Sequence, residues 1–279
     1  MTNVLITGCS SGIGACAARQ LHQQGYNVIA TVRKNEDIVP LQQLGITTII
    51  LDLANSDSIQ QAVTFSLNHF NNQIDALFNN GAYGQPGAVE DLSRDVLRQQ
   101  FETNVFGTQE LTNLIIKQMR QQGFGRIIYN SSVLGFISMA YRGAYNASKY
   151  AIEGLADTLR QELNGSGIHI SLIEPGPILS QFRANAFAKY QQHIDKDTSF
   201  HKQTYLSMEQ RLTKQGPAAP FTLPPEAVVK KLLHAIESKR PKVRYYVTFP
   251  TYLFAVLKRL LPHRWLDWVL LKVSNDEHK

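Results

Sequence analysis

The chain contains little cysteine. Only two of its 279 residues are cysteines, Cys9 and Cys16, and they lie close together near the N-terminus. This scarcity argues against a disulfide-stabilised scaffold and is typical of proteins from a reducing, intracellular environment. The first predicted strand begins at about Asn3, which leaves no room for a signal peptide, so we expect a cytoplasmic protein.

The sequence also lacks a long uninterrupted apolar run and any metal-binding spacing. Lys258-Arg259 and Pro262 interrupt the apolar segment 249–272 well short of a membrane-spanning length. The eight histidines show no His-Glu-x-x-His pattern and the cysteines form no zinc knuckle, so we expect no metal site. The net charge is +6, but no long Lys/Arg run supports a nucleic-acid partner.

The composition, 43% hydrophobic and 18% charged residues, is that of a globular protein, and no flexible linker divides the chain. Apolar runs alternate with helical patterns, which predicts parallel βαβ units in one α/β domain with helices on both faces of the sheet. The predicted strands, about seven, are 3–7, 26–32, 47–52, 74–78, 125–132, 168–174 and 243–248. We assign 1–248 to this domain and 249–279 to a C-terminal extension.

A glycine-rich turn follows the first predicted strand. Its sequence is Gly8-Cys-Ser-Ser-Gly12-Ile-Gly14, and a helical segment comes next. The N-terminus of a helix in this context binds phosphate. Gly8 permits the tight turn, Gly12 lets the backbone approach a pyrophosphate, and Gly14 allows close packing of helix and strand.

The same turn also matches a different enzyme class. Gly8-x-Ser10-x-Gly12 fits the Gly-x-Ser-x-Gly elbow of α/β-hydrolases, in which the serine is the nucleophile. That elbow usually comes later in the chain, and no acid or histidine is marked out as its partner. We keep a hydrolase built on Ser10 as an alternative.

A tyrosine and a lysine lie four residues apart at the start of a predicted helix. Tyr145 and Lys149 therefore emerge on one face of that helix. A neighbouring ammonium favours the phenolate form of tyrosine, so we expect Lys149 to lower the pKa of Tyr145 toward a range useful for proton exchange.

These signals together resemble the short-chain dehydrogenase/reductase family over most of the chain. The likeness includes Thr-Gly-x-x-x-Gly-Ile-Gly, Asn79-Asn80-Gly81, Asn104, a serine thirteen residues before Tyr145, and Pro175-Gly176. The resemblance implies a single Rossmann-type, doubly wound parallel sheet with a dinucleotide at the carboxyl ends of its strands. The family usually has Asn-Asn-Ala-Gly where this chain has Asn-Asn-Gly-Ala, so the local turn could differ.

The resemblance implies a set of cofactor-binding residues. An arginine after the second strand accommodates the 2′-phosphate of NADP, so Arg33 favours NADP(H) over NAD(H). By resemblance, Asp52 contacts the adenine and Leu53 contributes its backbone. The full set is Thr7, Gly8, Ser10, Ser11, Gly12, Ile13, Gly14, Arg33, Asp52, Leu53, Asn79, Asn80, Gly81, Tyr145, Lys149, Pro175, Gly176 and Ile178.

The implied activity is interconversion of a carbonyl and an alcohol. Tyr145 exchanges the proton, Lys149 supports it, Ser132 binds the substrate oxygen in preference to the adjacent Ser131, and Asn104 completes a proton path. The closest branches are bacterial NADP-dependent aldehyde reductases and hydroxysteroid or retinol dehydrogenases, which favours apolar aldehydes or ketones. A non-catalytic NADP-binding sensor with the same fold is a further alternative.

Two further segments have sequence features that indicate contacts with the substrate or with partners. Region 179–223 is irregular and rich in aromatic residues, which indicates a substrate-binding lid. The basic, apolar tail 249–272 fits a peripheral membrane contact, a cover over the substrate pocket or an oligomer face. The family resemblance adds a homodimer or homotetramer.

Overall fold

The core of the protein is one seven-stranded parallel sheet. The computed structural model describes residues 1–276, with side chains through Ser274. The strand order is β3-β2-β1-β4-β5-β6-β7, and all pairs are parallel. The strands are β1 Asn3–Ile6, β2 Asn27–Val32, β3 Thr47–Ile50, β4 Ala76–Asn79, β5 Gly125–Asn130, β6 Ile168–Glu174 and β7 Arg244–Tyr246. The predicted α/β class and strand number are confirmed.

Helices cover both faces of this sheet. They are α1 Gly12–Gln23, α2 Ile38–Gln42, α3 Ser56–His69, α4 Arg94–Phe101, α5 Thr108–Gln122, α6 Gly143–Glu162, α7 Phe182–His193, α8 Lys202–Thr213, α9 Glu226–Glu237, α10 Phe249–Leu260 and α11 His263–Asp276. Within residues 1–276, none of them is long and apolar enough to cross a membrane.

Alternation along the strands divides the core in two. Val4 and Ile6 of β1 pack in the cluster that contains α1 and α9, whereas Leu5 packs in the cluster that contains α3, α5 and α6. Successive side chains of a strand point to opposite faces, so a fully buried strand supplies both clusters. The carboxyl ends of the strands are left free at one edge, where loops can form a site.

The predicted continuous helix over 93–122 contains an irregular turn. Between α4 and α5, residues Glu102–Gly107 form a π-helical turn that includes Asn104. Such turns recur at functional sites because they change the direction of a side chain without ending the helix. A Cβ on Gly107 would lie 1.6 Å from the carbonyl oxygen of Leu53, so this close approach requires glycine.

The region predicted to be irregular, 179–223, contains two helices. Residues of α7 and α8, including Tyr190, Tyr205 and Met208, form a third apolar cluster with the segment after β4. The apolar residues of these two helices follow no clear helical periodicity in the sequence, and aromatic side chains provide much of their packing. The sequence pattern therefore did not predict the helices. This cluster fixes the region beside the carboxyl edge of the sheet.

An ionic cluster that contains two buried carboxylates, Glu153 and Glu174, joins α6 to the last two strands. Arg244 of β7 lies 3.0 Å from Glu153, 2.7 Å from Asp157 and 3.0 Å from Glu174. Glu174 is fully buried. Burial, with the nearby Glu153 carboxylate, raises the pKa of Glu174 to about 8, whereas Arg244 opposes this shift. Between about pH 4.5 and about pH 8, the Glu174 carboxyl is therefore protonated in the folded protein and ionised in the unfolded chain.

This retained proton predicts a pH-dependent stability. Because the pKa of Glu174 is higher in the folded state, stability should fall as pH rises from about 4.5 to about 8, by at most about 1.4 kcal/mol per pH unit. Glu174→Gln should flatten this dependence, measured as the free energy of unfolding in urea across the pH range. Glu162→Gln, which changes an exposed carboxylate at the end of α6, is the control. An unchanged slope in the Glu174 variant would contradict the assignment.

Candidate active site

The glycine turn after β1 has the backbone shape that a phosphate site needs. Gly8 and Gly12 have φ values of +70° and +56°, which are strained for residues with a Cβ. A Cβ on Gly14 would lie 2.2 Å from the carbonyl oxygen of Gly8. Ser10 is exposed, and Ser11 and Ile13 are partly exposed, so this turn presents backbone and hydroxyl groups to a ligand at the start of α1.

The turn after β4 is tied directly to the glycine turn. The Thr7 hydroxyl accepts hydrogen bonds from the backbone N–H groups of Asn80 (2.9 Å) and Gly81 (2.8 Å). The Asn80 amide donates to the carbonyls of Thr7 (2.8 Å) and Gly8 (3.0 Å). Thr7 and Asn80 thus hold the two turns together. Asn79 is buried and donates to Thr112 on α5 at 2.8 Å, so its side chain supports the strand end.

The exchange of alanine and glycine after Asn80 has a local physical basis. A Cβ on Gly81 would lie 3.2 Å from both a Leu53 methyl carbon and the Thr7 hydroxyl oxygen. Any side chain there would force these neighbours to shift slightly. The exchange therefore keeps the turns after β1 and β4 in close contact.

Two cationic residues, Arg33 and Lys34, follow β2. Arg33 is exposed, and Lys34 is paired with Glu36 at 2.9 Å. Burial raises the pKa of Tyr83 to about 12, and the positive charge of the Arg33 guanidinium opposes that shift. Asp52 accepts a hydrogen bond from the Ala54 N–H at 3.0 Å, and Leu53 is buried under α5.

These residues fit a dinucleotide. A Cβ atom at Gly8 or Gly14 would collide with neighbouring backbone. Glycine at both positions leaves the backbone of the turn accessible, and the N-terminus of α1 supplies N–H donors for phosphate oxygens. Within the part of the chain that the structure describes, Lys34 is paired with Glu36, whereas Arg33 has no carboxylate partner. The donor set therefore suits a phosphorylated cofactor.

Helix α6 carries Tyr145 and Lys149 on one face. The Lys149 ammonium donates to the Asn130 carbonyl at 2.7 Å and lies 5.6 Å from the centroid of the Tyr145 ring. Lys149 is buried, and burial lowers its pKa to about 8, although the Glu153 carboxylate acts in the opposite direction. The cation is thus held near the phenol by a backbone acceptor at the end of β5.

The pKa of Tyr145 differs in direction from the sequence expectation. Burial raises the pKa of this phenol above its ordinary value, and a hydrogen bond with Ser132 opposes the increase. The sequence spacing places the lysine correctly but does not reveal how much water the phenol loses. In this structure desolvation outweighs the stabilisation of the phenolate.

The structure separates Ser132 from the adjacent Ser131. Ser132 interacts with Tyr145 and accepts a hydrogen bond from the Leu134 N–H at 3.1 Å. Ser131 faces the opposite way, since its hydroxyl lies near the site of Gly135 and Glu153 in the ionic cluster. The backbone remains extended just after β5, and neighbouring side chains of an extended backbone point to opposite sides, which explains this division. Ser132 is therefore the serine beside the phenol.

Asn104 is buried and fully engaged. Its amide group donates to the Tyr83 carbonyl at 2.9 Å and to the Ser148 hydroxyl at 3.1 Å. Its carbonyl accepts from the Tyr83 N–H at 3.1 Å. Asn104 thereby joins the turn after β4 to helix α6, and its π-helical position permits both contacts.

The segment after β6 is hydrogen-bonded to the loop that carries Ser132. The Pro175 carbonyl accepts from Val133 N–H at 2.8 Å, and Gly176 packs against Thr248. Ile178 forms an isolated parallel bridge with Leu223. Pro175 therefore lies beside the loop that carries Ser132, whereas Gly176 and Ile178 lie beside Thr248 and Leu223.

Two contributors, Asn130 and Ser180, were not predicted from the sequence, and a third, Phe182, was expected among the aromatic residues of the substrate pocket in region 179–223. Asn130 accepts from Lys149 and donates to Asn80 at 2.9 Å, so it connects the catalytic and cofactor regions. Ser180 lies against the glycine turn, 2.9 Å from the position of a Cβ on Gly12. The Phe182 ring lies 5.2 Å from that of Tyr145, edge to face. Asn130 is a polar residue at the end of a buried strand, which was a usable signal, and the aromatic composition of region 179–223 indicated Phe182, whereas Ser180 had no such marker.

The structure also describes the surroundings of Ser10 and the grouping of potential metal ligands. Ser10 is exposed and no histidine among residues 1–276 is hydrogen-bonded to it, so the geometry does not support a nucleophile at this position. Within the same residues no group of three His, Cys, Asp or Glu side chains could hold a metal.

Comparison with known proteins agrees with this geometry. The chain is 43% identical over 96% of its length to "Uncharacterized oxidoreductase YbbO" of Escherichia coli K12, covering 93% of that protein. It is 29% identical to "NADPH-dependent 3-dehydrocapnine reductase" of Ornithobacterium rhinotracheale (98% of this chain, 97% of the other). It is 32% identical to human "Retinol dehydrogenase 8" (86% and 79%).

A solved structure shares the whole fold. The short-chain dehydrogenase from Streptomyces avermitilis superposes with a TM-score of 0.77 at 25% identity, covering 98% of this chain and 97% of the other. The family model described as "short chain dehydrogenase" matches residues 2–191, which include the glycine turn, Ser132, Tyr145 and Lys149. The chain is therefore an oxidoreductase that belongs to the short-chain dehydrogenase/reductase family.

Proposed function

We propose that the protein is an NADP-dependent oxidoreductase that interconverts an apolar aldehyde or ketone and the corresponding alcohol. The observation that carries this proposal is the convergence of Ser132, Tyr145 and Lys149 beside the glycine turn at the carboxyl edge of the sheet. A phenol, a hydroxyl and a cation in one buried site suit proton exchange with a substrate oxygen.

The cofactor supplies or accepts the hydride when it is bound. The chain's own residues would hold it: the glycine turn with Thr7, Ser10, Ser11 and Ile13 for the pyrophosphate, and Arg33 for the 2′-phosphate. Asp52, Leu53 and the turn of Asn80 and Gly81 would line the adenosine. Pro175, Gly176 and Ile178 would face the nicotinamide, and Lys149 would bind its ribose.

The proton chemistry falls to three side chains. In the reductive direction Tyr145 gives its hydroxyl proton to the substrate oxygen, and the Ser132 hydroxyl donates a hydrogen bond to the charge that develops there. The Lys149 cation stabilises the resulting phenolate and offsets part of the cost of its burial. Asn104, through Ser148 and Tyr83, keeps helix α6 aligned and would connect the site to solvent.

An apolar substrate is favoured by the surroundings of the phenol. Tyr145 packs against a cluster that includes Leu134, Ile137 and Met139, and α10 and α11 close it from the other side. An apolar lining of this kind stabilises a bound hydrocarbon group and offers few hydrogen-bond partners. A retinol- or hydroxysteroid-type dehydrogenase is the second candidate, since the chain is similar to a retinol dehydrogenase.

The remaining assignments stay predictions. They are a catalytic domain at 1–248 with a lid at 179–223, an extension at 249–279, a cytoplasmic location, and a homodimer or homotetramer. Part of the extension, 277–279, lies outside the described residues. A sensor without turnover and a hydrolase built on Ser10 are less favoured, because the phenol, the hydroxyl and the cation form a complete proton-exchange set.

Replacing Tyr145 with Phe tests the proposed acid. The variant should lose at least about 10²-fold in NADPH-dependent reduction of an apolar aldehyde panel, because only the proton donor is removed. Binding of NADPH, followed by its fluorescence, should change little. Tyr150→Phe, an exposed tyrosine on the same helix, is the matched control. Unchanged turnover in the Tyr145 variant would refute its role.

The wild-type protein separates the alternatives in the same assay. NADPH binding with no turnover across the substrate panel would favour the sensor. Absence of NADPH binding together with ester hydrolysis would favour the hydrolase.

Arg33→Ala tests cofactor preference. Loss of the unpaired guanidinium should raise the KM for NADPH by about tenfold or more and leave the KM for NADH nearly unchanged. Lys34→Ala should have a much smaller effect, since Lys34 is paired with Glu36. Equal changes for both cofactors, or equal effects of the two variants, would contradict an Arg33 contact with the 2′-phosphate.

A further inference from the structure

The outer face of α10 is apolar although it faces solvent. Phe249, Tyr252, Leu253, Val256 and Leu260 recur at intervals of three and four residues, and all are exposed. This spacing places them in one stripe along the helix. A soluble helix normally presents polar residues on this face, so the stripe indicates a contact surface.

The inner faces of the two terminal helices already have a role. Phe254 of α10 and Leu266 and Leu270 of α11 are buried against the loop that carries Leu134 and Met139. These inner residues account for the cover over the substrate site. The outer stripe is therefore available in addition to this packing.

Tryptophan and basic residues extend the surface onto α11. Trp265 and Trp268 are 68% and 58% exposed. They line an open apolar groove with Leu261, Val269 and Arg264, and the Lys272 ammonium lies 3.9 Å from the Trp268 ring centroid. Arg259 and Arg264 are exposed, and Asp267 is the one exposed acid on 249–274. The surface is thus apolar with a positive surround.

Aromatic contacts connect the stripe to the segment before α9 and to the loop that carries Leu134 and Met139. Phe249 contacts Phe221 of the segment before α9, with 4.9 Å between ring centroids. The ring centroids of Tyr252 and Tyr246 are 5.3 Å apart. Those of Tyr246 and Phe136 are 6.0 Å apart, and Phe136 lies on the loop that carries Leu134 and Met139. Anything that covers the stripe therefore lies next to the loop beside Tyr145.

We propose that α10 and α11 dock this protein on the surface of an anionic phospholipid bilayer. Interfacial helices combine an apolar face with lysine, arginine and tryptophan, as this surface does. A second copy of the chain fits less well, because two such surfaces would bring like charges together. Docking here would place the substrate opening beside the lipid, where apolar carbonyl compounds concentrate.

The two tryptophans provide a direct measurement, because they are the only ones in the chain and both lie on this surface. Vesicles of phosphatidylcholine and phosphatidylglycerol should shift their emission to the blue, and brominated lipid should quench it. Vesicles of phosphatidylcholine alone should give a much smaller effect, and high salt should weaken binding. No spectral change with anionic vesicles would overturn the proposal.

Matched variants locate the contact. Val256→Gln with Leu260→Gln should lower the fraction that sediments with anionic vesicles by about tenfold or more. Val39→Gln with Leu44→Gln is the control, since Val39 and Val256 are both 53% exposed and Leu44 is also exposed. Equal losses in the two double variants would overturn the proposal.

Charge reversal covers the case in which the apolar variant fails to fold. Arg259→Glu with Arg264→Glu should reduce vesicle binding, whereas Arg120→Glu, an exposed change on α5, should not. If the α10 variants instead convert an oligomer to a monomer and the wild type ignores vesicles, the surface binds a second copy and the proposal fails. Turnover of a water-soluble aldehyde, measured in parallel, separates this outcome from failure of the proposed function.

Discussion

The candidate site depends on a buried lysine ammonium held by one backbone carbonyl. Lys149 has lost most of its contact with water, and its hydrogen bond to Asn130 compensates for part of that loss. The bond fixes the cation at the end of β5, one helical turn from Tyr145. Asn130 also donates to Asn80, which in turn joins the glycine turn, so the catalytic and cofactor regions share one hydrogen-bonded frame.

Helix α6 needs support on both sides to hold that position. Asn104 anchors its first turns through Ser148, and the ionic cluster of Arg244 with Glu153, Asp157 and Glu174 anchors its middle. Tyr145, Lys149 and Glu153 follow one another at four-residue intervals. The acid one turn after Lys149 favours its protonated form, whereas burial opposes it, and the balance leaves a cation whose pKa is lowered to about 8.

Much of the fold and of the candidate site was predictable from the sequence. Apolar strands alternating with helical patterns indicated the parallel sheet, and the glycine spacing placed the turn at the end of β1. The sequence could not show that Glu102–Gly107 forms a π-helical turn, because a mid-helix asparagine has no local marker for it. It also missed α7 and α8, whose aromatic residues pack against one another without a clear period, and Ser180, which reaches Gly12 only through tertiary packing.

The spacing of Tyr145 and Lys149 in the sequence also could not show how deeply the Tyr145 phenol is buried. The four-residue interval predicts proximity of Tyr145 and Lys149, but the pKa depends on the water that the folded chain excludes. An ultraviolet difference titration of wild type against Tyr145→Phe, with NADP⁺ present, measures the phenolate directly. We expect the Tyr145 phenolate to form at a lower pH with Lys149 present than in a Lys149→Met background. Identical titrations in the two backgrounds would contradict this expectation.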